Sequence, residues 1–160
     1  MGNTLRVLDI IGGTSVDGPG LRTSVYFAGC HHRCPGCHNP QSWDPAGGTV
    51  MTVDEIMAIV TENDFNVTFS GGDPLYQDPE ALLELATAIR ANGYTLWCYT
   101  GFRYEEIKDD PRFECLLPLF ETIVDGPFIE ALRDTTLLFR GSSNQRLVRP
   151  DGHDTEPAGS

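Results

Sequence analysis

Short apolar runs rich in β-branched and aromatic residues alternate along this chain with longer segments whose apolar residues recur every three or four positions. The runs predict buried strands, and the longer spacing predicts helices with one apolar face. From residue 21 onward the two kinds of segment follow each other in turn, which is typical of a parallel sheet covered by helices. The predicted strands cover residues 4–11, 21–28, 66–70, 94–99, 122–124 and 147–148.

Several polar residues have the spacing of helix caps. Thr52 and Glu55 match a capping box and predict a helix that runs from there to about residue 62. Asp78 and Pro79 are typical of an N-cap and a first helical residue, and the Asn-Gly pair at residues 92–93 marks the end of that helix. Weaker helices are predicted over residues 104–108 and around residues 115–119.

The length of the chain limits the architecture. A complete eight-unit β/α barrel typically needs about 250 residues, and this chain has 160. We therefore expect an α/β fold, a partial, open β/α barrel with a mostly parallel, curved sheet, in which the glycine pair at residues 12–13 ends the first strand. We expect residues 1–150 to form a single domain and the polar residues 151–160 to be a disordered tail.

The charge balance excludes one class of partner. The chain carries 23 acidic and 11 basic side chains, a formal net charge of −12. Such a surface repels phosphate backbones, so we expect no nucleic-acid partner. Charged residues interrupt the apolar run between residues 5 and 11, so neither a secretion signal nor a membrane helix is expected near the start of the chain. We predict a cytoplasmic protein with no membrane association.

A cluster of cysteines follows the predicted strand over residues 21–28. Cys30, Cys34 and Cys37 are three of the five cysteines of the chain and stand in a C-x3-C-x2-C spacing. In a reducing compartment, clustered thiols favour a metal or redox site over disulfides. Cys98 and Cys115 are isolated in the sequence and are expected to be small buried residues.

Two kinds of metal site are compatible with this cluster. Zinc would take a fourth ligand from His31, His32 or His38 and form a structural site. A four-iron cluster bound by three cysteines would keep one iron without a protein ligand, open to a substrate. The spacing alone favours neither. The chain has no second Cys-x-x-Cys pair, as zinc ribbons do, and no fourth clustered cysteine, as ferredoxin-type electron carriers do.

Further motifs resemble a known family. The cysteine loop, with Ser-Gly-Gly-Asp-Pro at residues 70–74 after the next strand, resembles radical S-adenosylmethionine (SAM) enzymes. Val-Asp-Gly-Pro-Gly-Leu-Arg at residues 16–22 is similar to the glycyl-radical-enzyme activases of that superfamily. Cys-Pro-Gly-Cys at 34–37, Asp-Gly-Pro-Phe at 125–128 and Gly-Ser-Ser-Asn-Gln-Arg at 141–146 are most similar to activases of anaerobic (class III) ribonucleotide reductase.

Two features depart from the pattern of that subgroup or from the wider superfamily. Gly36 stands before the last cysteine, where the wider superfamily usually has an aromatic residue that packs near the adenine. Cys-His-Asn at residues 37–39 is similar to activases of pyruvate formate-lyase, so this enzyme is an alternative target. A zinc-stabilised interaction module is the alternative of a different class.

The resemblance implies a radical SAM oxidoreductase. It implies that Cys30, Cys34 and Cys37 bind a [4Fe-4S] cluster and that the open iron binds SAM. Reductive cleavage of SAM would then generate a glycyl radical on the target. The implied partners are the large subunit of anaerobic ribonucleotide reductase and a reduced flavodoxin- or ferredoxin-like electron donor. The implied SAM-binding residues are Gly36, His38, Ser70, Gly71, Gly72 and Asp73.

Physical chemistry agrees with a SAM-binding turn after the strand over residues 66–70. Glycines let a ligand approach the backbone closely, and Asp73 offers a charge-assisted hydrogen bond to an ammonium group. Four further polar residues of the motifs, Asp17, Arg22, Asn144 and Arg146, are interpreted as structural caps and ion pairs, and direct catalysis is the alternative. The motifs do not decide whether Asp125 lies near the ribose of SAM or near the incoming glycine.

Overall fold

The described residues form a mixed β-sheet with helices packed on it. The structure is a computed structural model and describes residues 4–14, 21–28, 49–71, 73–126 and 146–148. The strands in these ranges are β1 (Thr4–Thr14), β2 (Arg22–Phe27), β3 (Thr49–Thr52), β4 (Asn66–Gly71), β5 (Leu96–Tyr99), β6 (Thr122–Asp125) and β7 (Arg146–Val148). The α-helices are α1 (Val53–Asn63), α2 (Pro79–Ala91) and α3 (Tyr104–Ile107), and short 3-10 helices cover Pro74–Tyr76 and Leu117–Leu119.

The strands are arranged in the order β3-β1-β2-β4-β5-β6-β7. The four strands β2, β4, β5 and β6 are parallel to one another, whereas β1, β3 and β7 pair antiparallel with their neighbours. The expected α/β class is confirmed, and the sheet is mixed, with a parallel centre. We call the side where β2, β4, β5 and β6 end the carboxyl edge, and the side where they begin the amino edge.

The helix caps follow the sequence pattern. Thr52 Oγ1 accepts a hydrogen bond from the Glu55 amide at 3.1 Å, and Glu55 Oε1 accepts one from the Thr52 amide at 2.9 Å. Asp78 Oδ2 accepts from the amide of Ala81 at the start of α2. Gly93, just past the end of α2, has a positive φ of 89°, which a glycine adopts without strain. The predicted boundaries of α1 and α2 are confirmed.

Two local predictions were wrong, and one strand was not predicted. β1 continues through the glycine pair at residues 12–13 as far as Thr14, because pairing with β2 resumes there after a register shift. β3 is a strand that the local sequence did not predict, and it forms by pairing with the first four residues of β1. The predicted helix around residues 115–119 is only a 3-10 turn centred on Pro118, which lacks an amide hydrogen.

Both faces of the sheet are buried. On one face, Val25, Phe27 and Phe69 belong to the main apolar core, which also includes residues of α1 and α2. The rings of Phe27 and Phe69 meet edge to face with centroids 5.2 Å apart. On the other face, Trp97 of β5 packs with Val124 and Leu147. Burial on two faces accounts for the largely apolar sequence of β5, whereas β2 and β4 carry buried polar residues on the second face.

No helix among the described residues combines the length and the apolar content that crossing a bilayer requires. The longest described helix, α2, has 13 residues. The predicted disordered tail, residues 151–160, lies outside the described part of the chain.

Candidate functional site at the carboxyl edge

The cysteine cluster lies on a segment whose two ends are anchored at the carboxyl edge. β2 ends at Phe27 and β3 begins at Thr49, and both residues pair with Val7 of β1. The chain therefore leaves and rejoins the sheet at the same edge, on either side of one strand. Several predicted site residues lie outside the described residues: Cys30, Cys34, Gly36, Cys37, His38 and Gly72, together with His31, His32, Asp17 and Asn144.

The end of β4 lies beside the start of this segment. In the parallel ladder between β2 and β4, Ser70 pairs with Tyr26 and Gly71 pairs with Phe27. The predicted turn after β4 therefore begins next to the point where the chain departs toward Cys30. Two parts of the sequence separated by about forty residues meet here because adjacent parallel strands end at the same edge.

Asp73 joins the end of β4 to the end of β5. Its side chain is fully buried. Oδ1 accepts from the Leu75 amide at 3.0 Å and thereby caps the 3-10 helix. Oδ2 accepts from Thr100 Oγ1 at 2.9 Å and from the Gly101 amide at 2.8 Å. The sequence predicted Asp73 as a SAM-binding residue, but it did not predict that this carboxylate connects the ends of β4 and β5.

The ends of β5 and β6 are joined in a similar way. The Thr100 amide donates to the Val124 carbonyl at 3.0 Å, and the Gly126 amide donates to the Phe102 carbonyl at 2.8 Å. Asp125, which is 1% exposed, accepts from the Tyr104 amide at 2.7 Å and so caps the first residue of α3. The structure thus assigns Asp125 a cap, in addition to any contact with a ligand.

Gln77, which contacts the end of β2, was not predicted from the sequence. Its Nε2 donates to the Ala28 carbonyl at 2.6 Å, and its Oε1 accepts from the Arg6 amide at 3.0 Å. Ala28 lies two residues before Cys30. The only sequence signal for Gln77 is its place shortly after the Gly-Gly-Asp turn, since a lone glutamine carries no chemical signature.

Arg22 lies far from these residues along β2, at the amino edge. It is 1% exposed, and its guanidinium donates to Thr68 Oγ1 and to the Val67 carbonyl, both at 2.8 Å. The guanidinium carbon lies 5.6 Å from the ring centroid of Trp97, within reach of a cation–π contact. Burial lowers the pKa of Arg22, and the nearby Glu121 opposes that shift. The structural interpretation of Arg22 is supported.

The two isolated cysteines differ from each other. Cys98 is buried, as expected, and burial raises the pKa of its thiol well above the ordinary value. Cys115 is exposed, so the expectation that it is a buried residue was wrong. It lies in a polar turn between Phe113 and Leu116, and these two residues turn inward instead.

Comparison with known proteins identifies the family. The chain matches the family model described as a 4Fe-4S single cluster domain over residues 16–148. It is 36% identical over 141 residues to the anaerobic ribonucleoside-triphosphate reductase-activating protein of Escherichia coli K12, covering 81% of this chain and 89% of that protein. The protein of the same name from enterobacteria phage T4 is 36% identical over 139 residues, covering 82% and 86%. That of Haemophilus influenzae is 32% identical over 145 residues, covering 84% and 91%.

A solved structure shares the fold. The crystal structure of QueE from Escherichia coli matches with a TM-score of 0.51 at 16% sequence identity, over 61% of this chain and 52% of the QueE chain. This likeness concerns the fold alone. The resemblance seen in the motifs is confirmed by the sequence matches, which cover most of the chain, and the chain belongs to the family of anaerobic ribonucleoside-triphosphate reductase-activating proteins, with a 4Fe-4S single cluster domain.

Proposed function

We propose that this protein generates a glycyl radical on an anaerobic ribonucleoside-triphosphate reductase, with a [4Fe-4S] cluster and SAM as cofactors. Cys30, Cys34 and Cys37 would hold the cluster, and three thiolates would leave one iron available to SAM. When bound and reduced by an external electron donor, the cluster would supply the electron for reductive cleavage of SAM, the chemistry that generates a radical on a glycine of the reductase. Family membership and the cluster-domain match support this proposal most directly.

The donor set of the cysteine segment fits such a cluster. A four-iron cluster held only by protein takes four thiolates, so three clustered cysteines leave one iron for another ligand. The segment also begins and ends at the carboxyl edge, beside Phe27 and Thr49. In open α/β sheets, ligands bind outside the carboxyl ends of the strands.

We assign SAM binding to Ser70, Gly71, Gly72 and Asp73, with Gly36 and His38 lining the same pocket. The pairing of Gly71 with Phe27 supports this assignment, because it puts the turn next to the start of the cysteine segment. Strand-end amide and carbonyl groups at glycines are accessible to the methionine part of SAM. The Asp73 carboxylate suits the ammonium group, and its protein donors hold it in one orientation.

We also propose that the sheet is curved into a partial, open barrel. Four adjacent parallel strands are half the number in a complete β/α barrel. The face opposite the main core carries buried polar side chains, among them Arg22, Ser24 and Thr68. A polar, buried second face supports a partial, open barrel that wraps around its cofactors.

The proposed partners follow from the chemistry. The large subunit of the reductase carries the glycine, and a reduced flavodoxin- or ferredoxin-like protein supplies the electron. Pyruvate formate-lyase is the alternative target, on the sequence at residues 37–39. We also propose a cytoplasmic location, where such electron carriers remain reduced.

Anaerobic reconstitution tests the proposal. The protein should take up about four iron and four sulfide per chain, as one such cluster requires. Adding SAM and dithionite should release 5′-deoxyadenosine. Incubation with the reductase of the same organism should then give the electron paramagnetic resonance (EPR) signal of a glycyl radical, and pyruvate formate-lyase should not.

The alternative of a zinc-stabilised interaction module predicts different results. A protein that holds one zinc per chain after aerobic purification, cleaves no SAM after reconstitution and unfolds on chelation would contradict the activase proposal, because structural zinc contributes directly to folding. A radical on pyruvate formate-lyase alone would keep the chemistry and change the target.

A further inference from the structure

The side-chain amide of Gln77 lies between the backbones of β1 and β2 at the carboxyl edge. The Ala28 amide donates a hydrogen bond to the Arg6 carbonyl at 3.0 Å, as in a regular antiparallel pair. In such a pair the Arg6 amide would donate directly to the Ala28 carbonyl. Gln77 instead links these two groups, accepting from Arg6 and donating to Ala28. We call this arrangement the Gln77 bridge.

The chemistry of the two partners accounts for a glutamine in this place. The Arg6 amide only donates and the Ala28 carbonyl only accepts, so the bridging group needs one acceptor and one donor side by side. A primary amide has both, whereas an ionised carboxylate only accepts and an ammonium group only donates. The contact between Gln77 Nε2 and the Ala28 carbonyl is a short hydrogen bond, at 2.6 Å.

The backbone that carries Gln77 is held on both sides. The Gln77 amide donates to the Pro74 carbonyl at 3.1 Å, which closes the 3-10 helix that Asp73 caps. The next residue, Asp78, is the N-cap of α2. The segment from Asp73 to Asp78 thus contacts the end of β5 through one side chain and the end of β2 through another.

We propose that Gln77 is a positioning residue for the cluster: the Gln77 bridge sets the direction in which the chain leaves β2 toward Cys30. The inference rests on the proposed function. A fixed Ala28 carbonyl orients the peptide that leads into the cysteine segment, and the same short segment carries the turn assigned to SAM. Gln77 therefore couples the placement of the cluster ligands to the placement of the SAM-binding turn.

Two substitutions separate the two halves of the bridge. Gln77→Glu keeps an acceptor for Arg6 and directs a negative oxygen at the Ala28 carbonyl. Gln77→Met keeps the length of the side chain and removes both hydrogen bonds. The matched control is Asn92→Asp, because Asn92 Nδ2 also donates to a backbone carbonyl, that of Ala88 at 2.7 Å, but at the C-terminal end of α2.

The experiment uses the reconstituted protein. We expect both Gln77 variants to shift or broaden the EPR spectrum of the reduced cluster in the presence of SAM, and to cleave SAM about 10-fold more slowly, as residues that orient metal ligands commonly do. Hydrogen exchange of the Arg6 amide should accelerate in Gln77→Met and not in Gln77→Glu. Asn92→Asp should match the wild type in all three measurements.

Three results would overturn the inference. One is a wild-type EPR spectrum and cleavage rate in both Gln77 variants, while the wild-type protein is active. Another is loss of cooperative unfolding in both variants, since Gln77 would then support the whole fold. A wild-type protein that binds no cluster would remove the proposed function and this role with it, a result distinguishable from the first.

Discussion

The two edges of the parallel sheet use buried polar side chains differently. At the amino edge, Arg22 donates to Thr68 and to a β4 carbonyl, and stacks near Trp97, which itself donates to Glu121 at 3.0 Å. Arg22, Thr68, Trp97 and Glu121 therefore contact one another at this edge. At the carboxyl edge, Asp73 and Gln77 bind backbone groups of the loops that leave the strands.

This difference separates stability from function along each strand. The side chains at the amino edge satisfy one another's buried polar groups. Under the proposed function, side chains that bind loop backbones at the carboxyl edge position the segments assigned to the cluster and to SAM. The same division exists in barrel enzymes, where residues at the carboxyl ends of strands serve catalysis and those at the other end serve stability.

The largest expected effect is that of Cys34→Ala. Removing one of three cluster ligands should reduce SAM cleavage to the level of a protein-free blank. The midpoint of thermal unfolding of the protein without cluster should change little, since the core lies on other elements. Circular dichroism and 5′-deoxyadenosine release measure the two quantities. A variant that fails to fold would favour the zinc alternative. It would also contradict the assignment of stability to the amino edge and of function to the carboxyl edge.

Arg22→Met should give the largest loss of stability. The guanidinium makes two buried hydrogen bonds, so the free energy of unfolding should fall by about 2–4 kcal/mol. Urea unfolding of the protein without cluster measures this loss. The EPR spectrum of the reconstituted variant should match the wild type, because Arg22 begins β2 at the amino edge and its described partners include Thr68, the Val67 carbonyl and Trp97.

Arg90→Met is the matched control, because Arg90 is exposed and makes only a 3.4 Å hydrogen bond to the Tyr94 carbonyl among its described contacts. Its effect should stay within about 0.5 kcal/mol. If both variants lose the same free energy of unfolding, the buried contacts of Arg22 add no more stability than the exposed contact of Arg90.

Asp73→Asn should affect both stability and ligand binding. In one orientation, the asparagine NH2 group faces the donors on Thr100 and Gly101, which then lose their acceptor. In the other orientation, the asparagine oxygen accepts from Thr100 and Gly101, and the Leu75 amide loses its acceptor. The free energy of unfolding should fall by about 1–3 kcal/mol. SAM should bind more weakly to the reconstituted variant, as equilibrium dialysis would measure. Asp109→Asn, an exposed position, is the control, and wild-type SAM affinity in Asp73→Asn would limit Asp73 to a structural role.

The smallest effect is expected for Tyr94→Phe, at the surface of the amino edge. Tyr94 Oη donates to Asp64 Oδ1 at 2.7 Å, and this hydrogen bond raises the pKa of Tyr94. The stabilisation is therefore complete below the pKa of an unfolded tyrosine, near 10, and disappears as the pH rises through the higher pKa of the folded protein. Urea unfolding should show a small deficit of the variant at pH 8 that vanishes at strongly alkaline pH. If the variant remains less stable than the wild type at strongly alkaline pH, the loss of stability comes from packing and not from this hydrogen bond.

Local sequence signals predicted much of the fold. The capping box at Thr52 and Glu55 and the cap at Asp78 formed as expected, because these interactions involve residues only three positions apart. The central strands also appeared where apolar runs predicted them. β3 and the extension of β1 past the glycine pair did not, since both depend on pairing with strands distant in sequence.

The candidate site divides in the same way. Cys30, Cys34 and Cys37 were recognisable from their spacing, and the turn at residues 70–73 from its glycines. The contacts of Asp73 with Thr100 and of Gln77 with Ala28 span 27 and 49 residues, and no local pattern predicts them. The exposure of Cys115 is likewise a property of the packed turn.

The sequence by itself determined which groups are present for chemistry: three clustered thiols without a fourth, a glycine turn after the next strand, and a family match over most of the chain. Only the tertiary structure decided which strand ends are neighbours. Parallel pairing of β2 with β4 puts Gly71 beside Phe27, and Gln77 fills the gap between β1 and β2. The physical reason is that hydrogen-bond partners far apart in sequence are chosen by sheet register and packing, which no single segment encodes.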